Sequence, residues 1–171
     1  PQKKRSEIWE RERVITNIMQ QPAATQAPTL TSEQQQKQEE EEEGFPTKFE
    51  GPIRSYDVHI YYFHTDEAQT RVARELREEI IERFPETIVY KLWERPIGPH
   101  PVGMFEVDLK KPAHFARFVP WFNVNRRGLS ALVHPNTGFP LLDHTRNAMW
   151  IGPPFPLNTS CLKDEDPKYG L

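Results

Sequence analysis

The sequence is poor in cysteine and has no long apolar run. With Cys161 as the single cysteine, the chain cannot form an internal disulfide or a cysteine-based zinc cluster, which is typical of proteins from reducing compartments. No apolar stretch comes near the roughly 20 residues that a membrane-spanning helix needs, and none looks like the apolar core of a signal peptide. We therefore expect a soluble, cytoplasmic protein without a membrane partner.

An excess of positive charge is also missing. Residues 1–50 carry seven basic and ten acidic side chains, and residues 51–171 carry fifteen of each. Because phosphate backbones are bound by clustered lysines and arginines, a neutral domain argues against nucleic acid as a partner. The sequence has no glycine-rich phosphate loop and no Gly-x-Ser-x-Gly turn, so nucleotide binding and acyl transfer lack support.

The first fifty residues have the composition of a disordered leader. Residues 20–43 run through proline, alanine, threonine and glutamine and end in five consecutive glutamates. Such a segment cannot bury enough apolar surface to offset the entropy lost on ordering. We predict a disordered, Gln/Glu-rich leader over residues 1–50 and one α+β domain over residues 51–171.

The apolar pattern of the domain predicts the order strand, helix, strand, strand, helix, strand. The strands are expected at residues 54–63, 87–93, 102–109 and 128–133. A stripe with apolar residues every four positions predicts the first helix, with Thr65 or Asp66 as its N-cap and Gln69, three residues after Asp66, in capping-box spacing. Pro112 suits the start of the second helix. This order is that of the ferredoxin-like βαββαβ fold, in which both helices cover one face of an antiparallel sheet. We expect the first and third strands to be adjacent and parallel.

Three of the six histidines are expected to meet in this topology. His59 alternates with Val58 and Ile60, so it should point away from the helices. His100 precedes the third strand and His134 ends the fourth, and the expected strand order brings them to one edge with His59. Three neutral imidazoles suit a divalent transition metal with open coordination positions. Zinc is compatible with the same ligands.

Of the remaining three histidines, one is a candidate site residue and two are expected to lie outside the site. His144 follows His134 by ten residues, beyond a proline- and glycine-containing turn, and is expected either to complete the ligand set or to act as an acid/base. His64 and His114 are expected to be solvent-facing or capping residues. Glu106 lies six residues past His100, about 20 Å along an extended strand, which predicts that it cannot share the ion.

Four spaced motifs resemble the DOPA 4,5-dioxygenase family of small non-haem extradiol dioxygenases. They are Asp-Val-His-Ile-Tyr-Tyr at 57–62, Gly-Pro-His-Pro-Val-Gly-Met-Phe-Glu-Val at 98–107, Leu-Val-His-Pro-Asn-Thr-Gly at 132–138, and Asp-His-Thr at 143–145 with Trp-Ile-Gly at 150–152. The resemblance covers residues 54–152. It implies an Fe(II) enzyme that opens the ring of a catechol such as L-DOPA with O₂, in a domain that pairs into a homodimeric α/β barrel.

Within this resemblance, His59, His100 and His134 are expected to hold Fe(II). His144 is the candidate acid/base, oriented by Asp143 or by a backbone carbonyl, and the roles of His144 and His100 could be exchanged. Arg54 and Arg146 are candidates for clamping a substrate carboxylate.

Two other functions remain open at this point. One is a non-catalytic dimeric α/β barrel that binds a metal or a small ligand, and the other is a zinc-dependent hydrolase that uses the same histidines. The dimer is expected because the sheet face opposite the helices is too apolar to remain exposed to solvent. That face would carry Tyr61, Val102, Met104 and Leu132.

Overall fold

A computed structural model of the chain describes residues 30–163. We number its elements in chain order: α1 Ser32–Glu42, β1 Tyr56–Tyr62, α2 Glu67–Arg83, β2 Ile88–Val89, β3 Gly103–Leu109, α3 Pro112–Asn125, β4 Ser130–Pro135, α4 Pro140–His144 and β5 Met149–Ile151, followed by a 3-10 turn at Thr159–Cys161. Within this part of the chain, no helix is both long and apolar enough to cross a bilayer.

The five strands form one sheet in the order β2-β3-β1-β4-β5, with every neighbouring pair antiparallel. The α+β fold class is confirmed, but the expected parallel pairing of the first and third strands is wrong. A right-handed crossover makes β1 and β2 parallel, and β3 runs back between them. The second strand is also shorter than expected, since beyond Val89 it keeps only an isolated pairing of Trp93 with Met104.

Both long helices pack on one face of the sheet, as predicted. The core on this helix-covered face contains alternate residues of the three central strands, among them Val58, Ile60, Phe105, Val107, Ala131 and Val133, together with Leu76, Ile80, Phe118 and Phe122 from the helices. Asp66 caps α2 by accepting hydrogen bonds from the backbone N–H groups of Ala68 and Gln69. The Gln69 side chain accepts from the N–H of Phe63 and so does not close the expected capping box.

The opposite face, which we call the site face, is covered by the chain itself. Tyr61, Met104 and Leu132 are buried there against the loop before β3, against β5 and against the residues on either side of β5, which contribute Trp93, Ile97, Val102, Ala148, Trp150, Phe155 and Leu157. The expectation that this face is open was wrong, because the chain continues past β5 and folds back over the sheet. The apolar face that was expected to be covered by a second copy is thus already covered by the chain itself. The homodimer stays a prediction.

Part of the predicted disordered leader is a helix. Thr31 and Gln34 form a capping box at the start of α1, and glutamine and glutamate have good helix propensity. At its end, Glu42 pairs with Lys111 at 2.7 Å and lies 3.4 Å from Nε2 of His114. His114 is buried, at 4% exposure, so its expected solvent position was wrong. Residues 1–29 of the leader and residues 164–171 lie outside the described range.

Candidate metal centre and active-site cavity

Four histidines line one cavity of about 530 Å³ on the site face. The ring centroid of His59 lies 4.2 Å from that of His100, 5.0 Å from that of His134 and 5.6 Å from that of His144. The rings of His134 and His144 are 4.0 Å apart. The structure thus brings together all four residues that the sequence singled out, around His59.

The four rings meet on the face of the sheet and not at an edge. His59 is in the middle of β1, and Asp57, two residues earlier on the same face, pairs with His134 of β4. His100 reaches the group because the loop before β3 folds back over the sheet, held by reciprocal backbone hydrogen bonds between Ile97 and His100. His144 arrives from the end of α4.

The Nδ1 atoms of three of the rings are turned away from the cluster. Each lies within hydrogen-bond distance of an oxygen: His134 with the Pro135 carbonyl at 2.9 Å, His144 with the Pro140 carbonyl at 2.9 Å, and His100 with the Tyr61 hydroxyl at 2.7 Å. A carbonyl can only accept, so His134 and His144 carry their proton on Nδ1 and keep an unprotonated Nε2. Of the two groups expected to orient His144, it is the backbone carbonyl that contacts its ring.

The contact between His59 and His134 is one that a bound cation would satisfy. Their Nε2 atoms are 2.9 Å apart, and Nδ1 of His59 has no hydrogen-bond partner, although the Glu106 carboxylate lies 3.8 Å away. If Nε2 of His59 carries the proton, its bare Nδ1 faces a carboxylate. If Nδ1 carries the proton, two lone pairs face each other. A metal ion resolves this conflict, since two nitrogens about 2.1 Å from one ion at a right angle lie about 3.0 Å apart.

Burial keeps these imidazoles neutral. Desolvation, and then the neighbouring imidazoles, hold the pKa values of His59 and His100 well below the ordinary 6.5. Burial also lowers the pKa of His134, and it lowers that of His144 to about 4. Neutral imidazoles are the form that ligates metals, so at neutral pH the cluster is ready to accept a divalent cation.

Two overlapping sets of side chains have ligand atoms close enough to share an ion. In one set, the atoms of His59, His100 and His144 lie within 4.8 Å of one another, and in the other those of Asp57, His59 and His134 do. The predicted trio of His59, His100 and His134 takes members from both sets and stays a prediction. Sequence reasoning missed Asp57, although its position two residues before His59 places it on the same face.

The register also corrects the exclusion of Glu106. Its Cα pairs with that of His59 across the sheet. The loop before β3 folds back, so the distance along the strand from His100 does not decide which residues surround Glu106.

Of the two candidate carboxylate clamps, Arg54 lines the cavity, whereas Arg146 is exposed and does not. Sequence reasoning missed Lys110, which also lines it.

The antiparallel scaffold and its histidine-lined cavity are those of a known family. Residues 56–161 match the Dopa 4,5-dioxygenase family. The chain belongs to this family.

Individual relatives support the assignment. An uncharacterized 21.2 kDa protein of Botryotinia fuckeliana is 49% identical over 129 residues, which span 71% of this chain and 70% of that protein. The DOPA 4,5-dioxygenase of Amanita muscaria is 35% identical over 121 residues, 68% of this chain and 53% of the fungal protein's length. A crystal structure of a candidate dioxygenase from Nostoc punctiforme superposes with a TM-score of 0.59 at 38% identity, over 64% of this chain and 91% of that one. This protein is therefore DOPA dioxygenase-like.

Proposed function

We propose that the protein is a non-haem Fe(II) extradiol dioxygenase that opens the ring of a catechol such as L-DOPA with O₂. The observation that carries the proposal is the cluster of neutral imidazoles around His59, whose Nε2 lies 2.9 Å from that of His134, a contact that a cation would satisfy. The similarity to the Amanita muscaria enzyme, named as a DOPA 4,5-dioxygenase, supports the choice of substrate class.

The set of Asp57, His59 and His134 suits Fe(II) best. Two histidines and one carboxylate are the ligands typical of non-haem Fe(II) oxygenases with open positions. When bound, Fe(II) would hold the catechol and O₂ side by side, pass electrons from the catechol to O₂ and acidify the catechol hydroxyls. Glu106, beside Nδ1 of His59, would orient that ring and raise its basicity as a ligand.

His144 and His100 then remain for proton transfer and substrate contact. Nδ1 of His144 is tied to the Pro140 carbonyl, so its Nε2 faces the cavity and can take a proton from a catechol hydroxyl and return it later. His100, fixed through Tyr61, lies beside His59, with their ring centroids 4.2 Å apart, and its ring centroid is 5.9 Å from that of His144. The loop residues Trp93 and Ile97 supply apolar walls for an aromatic ring.

The test is O₂ uptake by the protein after anaerobic loading with Fe(II), with L-DOPA, caffeate and protocatechuate as substrates. Uptake with a yellow product, lost in His59→Ala and His134→Ala, is the expected result. His64→Gln is a matched control because His64 lies outside the cavity lining and its Nδ1 only accepts a hydrogen bond from the N–H of Gly103. No uptake by protein with demonstrably bound iron would refute the proposal.

Iron content of purified variants assigns the ligands. If Asp57, His59 and His134 hold the ion, Asp57→Asn loses iron while His144→Ala keeps iron but turns over slowly. Loss of iron from His100→Ala and His144→Ala, with iron retained in Asp57→Asn, would favour the other set. The sequence-based trio predicts loss in both His100→Ala and His134→Ala.

A zinc hydrolase is the second candidate, because the set of His59, His100 and His144 has the three-histidine composition of an open catalytic zinc site. Such an enzyme would retain zinc through purification, consume no O₂ and hydrolyse its substrate when loaded with zinc alone. Metal analysis of the purified protein, followed by O₂ uptake in the presence of Fe(II), separates the two chemistries.

A further inference from the structure

Arg54 is an exposed arginine at the rim of the histidine cavity. It directly precedes the strand that carries Asp57 and His59, and its backbone N–H donates to the carbonyl of Asn136 at 3.0 Å. Asn136 belongs to the turn that follows His134. The arginine is therefore fixed by its backbone next to two of the proposed ligands, with its side chain on the cavity wall.

Every other charged side chain of the cavity wall has a nearby partner. The Asp143 carboxylate accepts hydrogen bonds from Thr137 and Asn147, Glu106 lies beside His59, and the Lys110 ammonium pairs with Asp108. Burial raises the pKa of Asp57 to about 6, and a hydrogen bond from Asn136 and the charge of Lys110 partly oppose that rise. Within residues 30–163, by contrast, no carboxylate lies within 4.0 Å of the Arg54 guanidinium.

Because Gly138 has no side chain, the Arg54 guanidinium has room beside it. A Cβ atom at residue 138 would lie 2.7 Å from one of the terminal nitrogens of Arg54, closer than carbon and nitrogen can pack without displacement. Gly138 also has φ of +102°, a conformation that residues with a side chain rarely adopt. The turn between His134 and His144 therefore leaves room for the end of the Arg54 guanidinium to approach Gly138 at the cavity wall.

We propose that Arg54, lying over Gly138, binds an anionic group on the side chain of the catechol, so that the preferred substrates are carboxylated catechols. This inference rests on the proposed function and specifies the substrate class of the same site. A planar guanidinium with free N–H groups binds a carboxylate in bidentate fashion. The catechol hydroxyls would then point to the histidines and the carboxylate to the rim.

The proposal is tested by binding, without turnover. Calorimetric titration of the Fe(II)-loaded protein under anaerobic conditions would compare 3-(3,4-dihydroxyphenyl)propanoate with its primary amide, which has the same shape and no charge. We expect the wild-type chain to bind the acid about fivefold more tightly, since exposed ion pairs contribute about 1 kcal/mol at most. The preference should disappear in Arg54→Gln, persist in part in Arg54→Lys and shrink as NaCl is added.

Arg146→Gln is the matched control because it removes an exposed arginine from outside the cavity lining, and it should keep the full preference. Equal binding of acid and amide by the wild type, or an unchanged preference in Arg54→Gln, would overturn the proposal. Admitting O₂ afterwards tests the proposed function separately. An Arg54-dependent preference without O₂ uptake would overturn the proposed dioxygenase function but support the anion site. Ring opening of both compounds with equal affinities would support the dioxygenase function but overturn the anion site.

Discussion

The metal-free protein should lose stability as the pH falls from 6.5 to 5. The pKa values of His59 and His100 lie well below the ordinary 6.5, and that of His144 is lowered to about 4, chiefly by burial. In this range the unfolded chain protonates these three imidazoles and the folded chain does not. Acid therefore favours the unfolded state through each of them.

Two buried carboxyls oppose this effect. Burial raises the pKa values of Asp57 and Asp108 from 3.8 to about 6. The charge of Asp57 further raises the pKa of Asp108, and the charge of Asp143 further raises that of Asp57. Near pH 5 the folded chain therefore holds two protons that the unfolded chain has released. On unfolding near pH 5, three imidazoles each take up a proton and two carboxyls each release one, so the chain takes up about one proton net.

One net proton corresponds to a slope of about 1.4 kcal/mol per pH unit in the free energy of unfolding near pH 5. The lowered pKa values of His134 and His114 act in the same direction and make the slope steeper. Urea unfolding of chelator-treated protein at pH 5.0 to 6.5, monitored by tryptophan fluorescence, measures it.

Asp57→Asn sharpens the test because it removes one of the opposing protons. It should raise the slope to about 2.7 kcal/mol per pH unit, and further if the pKa of Asp108 falls once its charged neighbour is gone. A stability that stays level or increases as the pH falls would refute the reasoning, since it would mean that the imidazoles are not buried in the neutral form.

Three further predictions follow from single contacts. Tyr61→Phe removes the hydroxyl that bonds Nδ1 of His100 and should lower the free energy of unfolding by about 1–3 kcal/mol in urea, with no loss expected if that bond is absent. Gly103→Ala would place a Cβ 2.9 Å from a backbone oxygen and two side-chain carbons in the sheet, so overpacking should cost about 1–3 kcal/mol, whereas an unchanged melting temperature would contradict this register. Phe155→Ser opens the cover over Tyr61, so a chain that is monomeric in sedimentation should begin to associate; a wild-type dimer would instead support the homodimer predicted from the sequence.

Local patterns were enough to predict the two long helices and the faces of the central strands, but not α1, α4 or β5. The alternation of Val58, His59 and Ile60 predicted which side chain leaves the helix-covered core, and burial of both neighbours in that core confirms it. The N-cap at Asp66 and the helical start at Pro112 are likewise local, because a cap or a proline acts within one turn.

Features that depend on where a loop or tail returns could not be predicted in the same way. His100 reaches His59 through a loop whose path is set by tertiary contacts. The sequence predicted that the two rings would be neighbours, but from a pairing of strands that the structure does not have. Glu106 was excluded by counting residues along a strand, although cross-strand register decides its neighbours. The apolar Trp150 and Phe155 carry no signal that says they cover the sheet of their own chain and not that of a second copy.

The turn between β4 and α4 explains why the separate features of the site occur together. Its backbone and side chain at Thr137 donate to the carboxylate of Asp143, which is 2% exposed. This buried acid was one of the two groups expected to orient His144, and it acts one step away, by fixing the shape of the turn, while the Pro140 carbonyl contacts the ring. His134 precedes that turn, His144 follows it and Arg54 lies against it at Gly138. A single carboxylate therefore sets the spacing between a proposed ligand, the proposed proton carrier and the proposed anion site, and any chain that changed it would have to rebuild all three positions together.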